Sequence, residues 1–226
     1  MNIYGLKINN TIPRDQINDL CNYISTERKN RIEKLHFDRD KIYTLFGELL
    51  IRYLLGEYHN VKKDQINFIK SKYGKPFLTN GIFNFNISHS GSYVVCAISS
   101  DIVGIDIERV NPSIDLQLAE SVFTRSELKR IENNYDPVDT FFELWTLKES
   151  YIKAVGKGLS IPLNSFSVDL GRLVTNDSKL ATDYYFMQYN NIENHKLAVC
   201  SNVPDFPGEI KQVSQSHLIQ YYFNQI

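Results

Sequence analysis

The sequence predicts an α+β protein, and three observations carry that prediction. Between residues 38 and 58, Ile42, Leu45, Phe46, Leu49, Leu50, Tyr53 and Leu54 recur at helical spacing. From Phe83 to Glu108 the period drops to two, as in strands: Phe83, Phe85 and Ile87 alternate with polar residues, and Val103, Ile105 and Ile107 alternate with Gly104, Asp106 and Glu108. A helical stretch over 141–155 is then followed by apolar strand-like runs at 165–170, 184–190 and 196–201. Long helices and hairpin-forming strands in one chain are the α+β pattern.

Each element has its own warrant. Residues 14–24 read as an amphipathic helix with Ile17, Leu20, Cys21 and Ile24 inward, and residues 26–35 as a short basic helix. The long helix follows. Ser88-His89-Ser90-Gly91 is a turn by composition, joining the Phe83–Ile87 strand to a strand over Tyr93–Ile98. This hairpin feeds the Val103–Glu108 strand. A linker at Asn111-Pro112 leads into residues 115–133, where Leu116, Leu118, Ala119, Val122 and Phe123 are apolar. The organisation is bipartite, with residues 1–104 and 105–226 as the expected halves. Tyr93-Val94-Val95-Cys96-Ala97 and Lys196-Leu197-Ala198-Val199-Cys200 echo one another weakly between them.

Composition bounds the function. At 226 residues the chain buries one sizeable core or two small ones. Its 42% hydrophobic and 23% charged residues are ordinary for a globular protein, and a net charge of −1 argues against a general nucleic-acid or membrane-surface binder. Cys21, Cys96 and Cys200 stand far apart, and no Cys/His cluster suggests zinc. No signal peptide is visible and no apolar run approaches the roughly 18 residues of a membrane span. The expectation is a reduced, cytoplasmic monomer.

Chemistry concentrates in two segments, VGIDIE (103–108) and WTLKESYIKAVGKGLS (145–160). Residues two apart on a strand share a face, so Asp106 and Glu108 point the same way, roughly 7 Å apart. On the following helix, Glu149 stands four residues before Lys153, with Lys148 beside it. Three carboxylates from a strand and a helix suit a hard cation such as magnesium, and the lysines suit phosphate oxygens. The bland alternatives are a solvated strand face and a surface Glu–Lys pair, and spacing does not choose between them. The neighbouring residues favour the first reading. Basic Arg28, Lys29, Arg31 and Lys34, with Lys75 in a YGKP turn and Lys157 beyond the helix, suit a polyanionic small molecule.

The order FNISHSG, GIDIE, WTLKES, KGLS resembles the 4′-phosphopantetheinyl transferase superfamily, in its Sfp-type branch. The opening Met1–Gly5, the basic Ser25–Leu35, Tyr73-Gly74-Lys75-Pro76 and Pro204-Asp205-Phe206-Pro207 extend the resemblance over most of the chain. Arg28 and Arg31 stand where some relatives have lysine, and Thr146 and Ser150 replace small residues that vary within the group. The resemblance implies two similar α+β halves related by pseudo-two-fold symmetry, the first binding coenzyme A, the second holding the metal site and docking the carrier protein. It implies that Arg28, Arg31, Thr44 and His89 meet the 3′-phosphate of coenzyme A. Tyr73, Gly74, Lys75, Pro76 and Ser88 would line its adenine and nearby phosphate, and Lys153 would support the pyrophosphate. Asp106, Glu108 and Glu149 would hold magnesium. The phosphopantetheine arm would pass to a serine of an acyl or peptidyl carrier protein, with 3′,5′-ADP leaving. Glu149 or a magnesium-bound water would take the serine proton, and Lys148 or Lys153 would neutralise the leaving phosphate. An exposed subset of Leu116, Leu118, Val122 and Phe123 would receive the carrier. The alternatives are a magnesium-dependent phosphodiesterase acting on coenzyme A and a non-catalytic module binding coenzyme A or a carrier.

Overall fold

Residues 1–9, 12–169, 172–175 and 183–224 are described by a computed structural model of the chain. In chain order the elements are β1 (Asn2–Lys7), α1 (Arg14–Leu20), α2 (Thr26–Glu33), α3 (Asp38–His59), β2 (Phe68–Lys70), β3 (Pro76–Leu78), β4 (Asn84–Ser90), β5 (Tyr93–Ser99) and β6 (Val103–Arg109). There follow α4 (Ala119–Val122), α5 (Arg125–Glu132), α6 (Pro137–Val155), β7 (Phe166–Asp169), β8 (Arg172–Thr175), β9 (Tyr185–Tyr189), β10 (His195–Ser201), β11 (Lys211–Val213) and α7 (Gln215–Phe223). Leu170, the last residue of the strand expected at 165–170, lies outside the described residues.

The two long helices start and stop where local chemistry dictates. α3 carries Asp38 and Asp40 in its first turn and ends at Asn60 in the left-handed region (φ 53°). α6 begins on Asp136, whose side chain accepts from the Asp139 N–H, has Pro137 in its first turn, and ends at Gly156 (φ 72°). The whole α3 stripe expected from the sequence is buried, and Leu45, Phe46, Leu49, Leu50 and Leu54 are fully so. Burial of such side chains stabilises by about 1.5–3 kcal/mol each.

Topology repeats. In the first half the chain runs β1, α3, β4, β5, and the strands lie side by side as β1-β5-β4, antiparallel throughout. In the second it runs β6, α6, β9, β10, and the strands lie as β6-β10-β9, again antiparallel. Each half lays its long helix on its sheet: α3 on β4 and β5, α6 on β6 and β10. Cys96 and Cys200, one in each segment of the weak sequence echo, thus sit on equivalent middle strands, buried on the helix-facing sides. β11 adds to β1 in parallel and β7 and β8 extend the second sheet. The sheets meet through Ile3, Val95, Ala97, Val103, Ile105, Ile107 and Val199. The chain crosses between halves more than once, because Leu218 and Tyr222 of the C-terminal α7 pack into the α3 core. Residues 104 and 105, the boundary expected between the halves, fall inside β6.

Two expected elements take another form. β4 continues through Ser88, His89 and Ser90, which pair with Val95, Val94 and Tyr93, so the turn is only Gly91-Ser92. Gly91 has φ +60° and supplies the positive angle that such a two-residue hairpin needs. Polar composition suggested a turn because these side chains lack partners in sequence; the partners of Ser88 and Ser90 lie on β6 and that of His89 on α3. Residues 115–133 are not one apolar stripe. A 3₁₀ turn over Leu116–Leu118 and the short α4 precede Phe123, which is extended, and Thr124 then caps α5 through a reciprocal pairing with Glu127. Among the described residues no helix is long and apolar enough to cross a membrane.

Candidate active site

β6 is the edge strand of the second sheet, and its outer N–H groups need acceptors. Alternate residues of β4 provide them. The Asn86 side-chain carbonyl accepts from the Ile105 N–H (2.8 Å), the Ser88 hydroxyl from Ile107 (3.5 Å) and the Ser90 hydroxyl from Arg109 (2.9 Å). The two hydroxyls then donate to the acids: Ser88 to Asp106 Oδ1 and Ser90 to Glu108 Oε2, each at 2.9 Å. One polar alternation thereby joins the halves and aims both acids.

The helix supplies the rest. A Cβ on Gly104 would stand 2.0 Å from the Ser150 carbonyl oxygen and 2.3 Å from the Ala154 nitrogen, so glycine is what lets α6 lie against β6. At that distance Lys153 Nζ reaches Asp106 Oδ1 (2.5 Å) and Ser88 Oγ (2.8 Å). A hollow of about 350 Å³ is lined by Ser88, His89, Asp106, Glu108, Trp145, Glu149 and Lys153. A second, of about 290 Å³, is lined by Tyr73, Gly74, Lys75 and Pro76 together with Asn86, Ile152, Glu149 and Lys153. Glu149 and Lys153 line both hollows.

The electrostatics are those of an incomplete cluster. Burial raises the pKa of Asp106 against the opposing pull of Lys153. Burial, then the charge of Asp106, pushes Glu108 up to about 7, and the same two causes raise Glu149. Asp106 Oδ2 is buried and has no hydrogen-bond partner. An orphaned carboxylate oxygen beside two further acids fits a cation bearing more charge than one lysine. Among the described residues no three His, Cys, Asp or Glu side chains stand already gathered as a metal-holding group. Asp106 Oδ1 and Glu108 Oε2 are instead occupied by Lys153, Ser88 and Ser90.

The remaining residues singled out in the sequence divide. His89 lines the acid hollow, and burial followed by the charge of Lys153 lowers its pKa; Arg31 acts on it in the same direction. Arg31 itself is exposed and Thr44 is buried on α3. Arg28 is tied to Glu48, which also holds Arg52. Lys75 lines the second hollow, but its Nζ donates to the Val103 and Ala154 carbonyls at 3.1 and 2.8 Å, clamping β6 to the end of α6, and burial pulls its pKa down to about 8. Lys148 is the clear displacement. Five residues before Lys153, it is rotated about 140° around the helix, fully buried and held by Glu127 and the Phe166 carbonyl, away from the acids. It is not available to a leaving phosphate. Thr146 and Ser150 satisfy their hydroxyls on carbonyls of their own helix. In the 115–133 segment Leu118 is 52% exposed and Phe123 is buried. Asn86 and Ser90 were not foreseen as parts of the site; the alternation of polar residues at 86, 88 and 90 was the signal.

Fold and cleft together define a class: two equivalent half-domains with an acid cluster seated where they join. Comparison with known proteins gives the family. Residues 12–101 match the model of the 4′-phosphopantetheinyl transferase N-terminal region, and residues 102–200 that of the 4′-phosphopantetheinyl transferase superfamily. The 4′-phosphopantetheinyl transferase Sfp of Bacillus subtilis (strain 168) is 35% identical over 225 residues, covering 97% of this chain and 100% of that protein. The 4′-phosphopantetheinyl transferase gsp of Aneurinibacillus migulanus is 41% identical over 203 residues, 87% of this chain and 84% of its own. The mouse L-aminoadipate-semialdehyde dehydrogenase-phosphopantetheinyl transferase is 31% identical, over 80% of this chain and 68% of its own. The chain belongs to the 4′-phosphopantetheinyl transferase superfamily, and it is an enzyme of that class.

Proposed function

We propose that this enzyme moves the 4′-phosphopantetheine arm of coenzyme A to a serine of an acyl or peptidyl carrier protein, with magnesium as the metal, in the cytoplasm and as a monomer. The observation that carries the reading is the cleft between the halves, where the orphaned Asp106 oxygen stands with Glu108 and Glu149 beside the Tyr73–Pro76 hollow. Three free cysteines agree with a reducing compartment.

In this reading Asp106, Glu108 and Glu149 hold magnesium, which supplies charge neutralisation at the pyrophosphate when bound. Tyr73, Gly74 and Pro76 shape the hollow for the adenine end, with the Lys75 clamp holding its floor. Arg31 and His89, with Arg28 and Thr44 nearer α3, receive the 3′-phosphate. Lys153 is oriented by Asp106 and Ser88 and turns its remaining N–H towards the pyrophosphate oxygens. The carrier serine attacks the β-phosphorus, the bond from that phosphorus to the bridging oxygen breaks, and 3′,5′-ADP departs. Glu149, which lines both hollows, accepts the serine proton. The carrier docks at the segment bearing exposed Leu118.

The test is to incubate the enzyme with magnesium, coenzyme A and an apo carrier protein and to weigh the carrier. The expected gain is about 340 Da, the mass of the transferred arm, with one 3′,5′-ADP per carrier. Steady release of 3′,5′-ADP without any gain in carrier mass would make the enzyme a phosphodiesterase and overturn the proposal.

A further inference from the structure

His89 lines the acid hollow from β4, and an imidazole that is only partly covered ordinarily turns about its terminal torsion. Here it does not stand alone. Its ring is stacked on that of Tyr43, centroid to centroid 5.0 Å with 20° between the planes. Tyr43 is buried on α3, and its own position is fixed from the far end. Its hydroxyl donates to the Gly91 carbonyl and accepts from Arg39 Nε at 2.7 Å. The Arg39 guanidinium, one helical turn before Tyr43, donates to the same Gly91 carbonyl. Two donors on α3 therefore grip the turn that closes β4 onto β5, and the ring between them is the surface against which His89 lies.

We propose that Tyr43 is a positioning residue that fixes the plane of His89 and thereby sharpens the preference for coenzyme A over dephospho-coenzyme A. The inference rests on the reading above that His89 meets the 3′-phosphate. A ring already held in its binding orientation does not lose rotamer freedom when the phosphate arrives, and freedom of that size corresponds to roughly three- to tenfold in affinity. The stack is tested through the ligand and not through stability.

The experiment measures KM and kcat with coenzyme A and with dephospho-coenzyme A for the wild type, Tyr43→Leu, Tyr43→Phe, His89→Ala and the Tyr43→Leu/His89→Ala double variant. A melting curve accompanies each. Tyr43→Leu is expected to raise KM for coenzyme A roughly three- to tenfold and to shrink the preference between the two substrates. Tyr43→Phe keeps the ring but loses the hydroxyl that anchors it, and is expected to fall between the wild type and Tyr43→Leu. The double variant should fall no further than His89→Ala, because Tyr43 acts through His89. If His89→Ala shrinks the preference and Tyr43→Leu does not, or if the two effects add, the positioning role is overturned and the phosphate reading stands. If His89→Ala leaves the preference intact, both are overturned. Should Tyr43→Leu not fold, Tyr43→Met removes the ring with a more adaptable side chain and carries the same expectations.

Discussion

Two lysines on α6 each face a buried carboxylate, and the two pairs are built to opposite specifications. Lys148 is fully buried and meets both oxygens of Glu127, at 3.0 and 2.7 Å, and the Phe166 carbonyl. Glu127 is in turn completed by the backbone N–H groups of Thr124 and Val168. Every lone pair and proton in that pair has an address. Lys153 is 28% exposed and meets one oxygen of Asp106, while the other oxygen of Asp106 is buried with nothing to accept from. The difference separates architecture from function. A saturated pair ties α5, α6 and β7 together and has no capacity left for a ligand. An unsaturated one keeps free energy in reserve for whatever completes it.

Breaking the saturated pair should have the largest effect. Glu127→Ala or Lys148→Ala leaves one charge buried without a partner and is expected to cost about 3–5 kcal/mol of stability in urea unfolding. The combination Glu127→Leu with Lys148→Met should recover most of that loss, since an apolar pair of similar volume removes both charges. Recovery failing in the combined variant would show that the pair does more than close the junction.

Breaking the unsaturated pair should move activity instead. Asp106→Ala is expected to lower transfer about a hundredfold or more, roughly 3 kcal/mol of transition-state stabilisation, while the urea midpoint stays level or rises. A well-folded Asp106→Ala enzyme with near-normal turnover would remove Asp106 from the chemistry. The same reasoning gives a pH dependence. Burial raises the pKa of Glu108 from 4.5 to about 7, so the fold favours its protonated form. Without metal, stability should therefore decline as pH rises from the unfolded-state value through about 7. Glu108→Gln should flatten that decline in melting curves recorded across the range. The smallest effect belongs to the open edge. Arg31 is exposed, so Arg31→Ala should weaken coenzyme A by about 1 kcal/mol or less and dephospho-coenzyme A hardly at all. An equal loss for both substrates would return Arg31 to the solvent-facing surface.

Much of the fold was legible because its signals are local. The α3 stripe, the strands at 103–108 and 196–201 and the end of α6 at Val155 follow from periodicity, which depends on residues a few positions apart; the start of α6, expected at 141, lies at Pro137, where Asp136 caps the helix. Even the faint likeness of 93–97 to 196–200 marks equivalent middle strands. The misreadings share one cause. Ser88 and Ser90 looked like turn residues because their partners, the N–H groups of Ile107 and Arg109, are 19 residues away. Lys148 looked like a companion of Lys153 because they are close in sequence, although the helix turns them to different sides. The 115–133 stripe was cut by Phe123, whose burial against Phe141 depends on α6.

By itself, then, the sequence determined which residues form helices and strands, that Asp106 and Glu108 share a face, that Glu149 and Lys153 share another, and, through the joint order of its motifs, the family. Those properties are set by backbone geometry and by spacing within single elements. Tertiary structure alone decided which lysine meets which acid, that β4 rather than another strand satisfies the edge of β6, and that one oxygen of Asp106 is left without a partner. Hydrogen bonding and burial depend on what stands opposite a group in space, and chain position does not specify that.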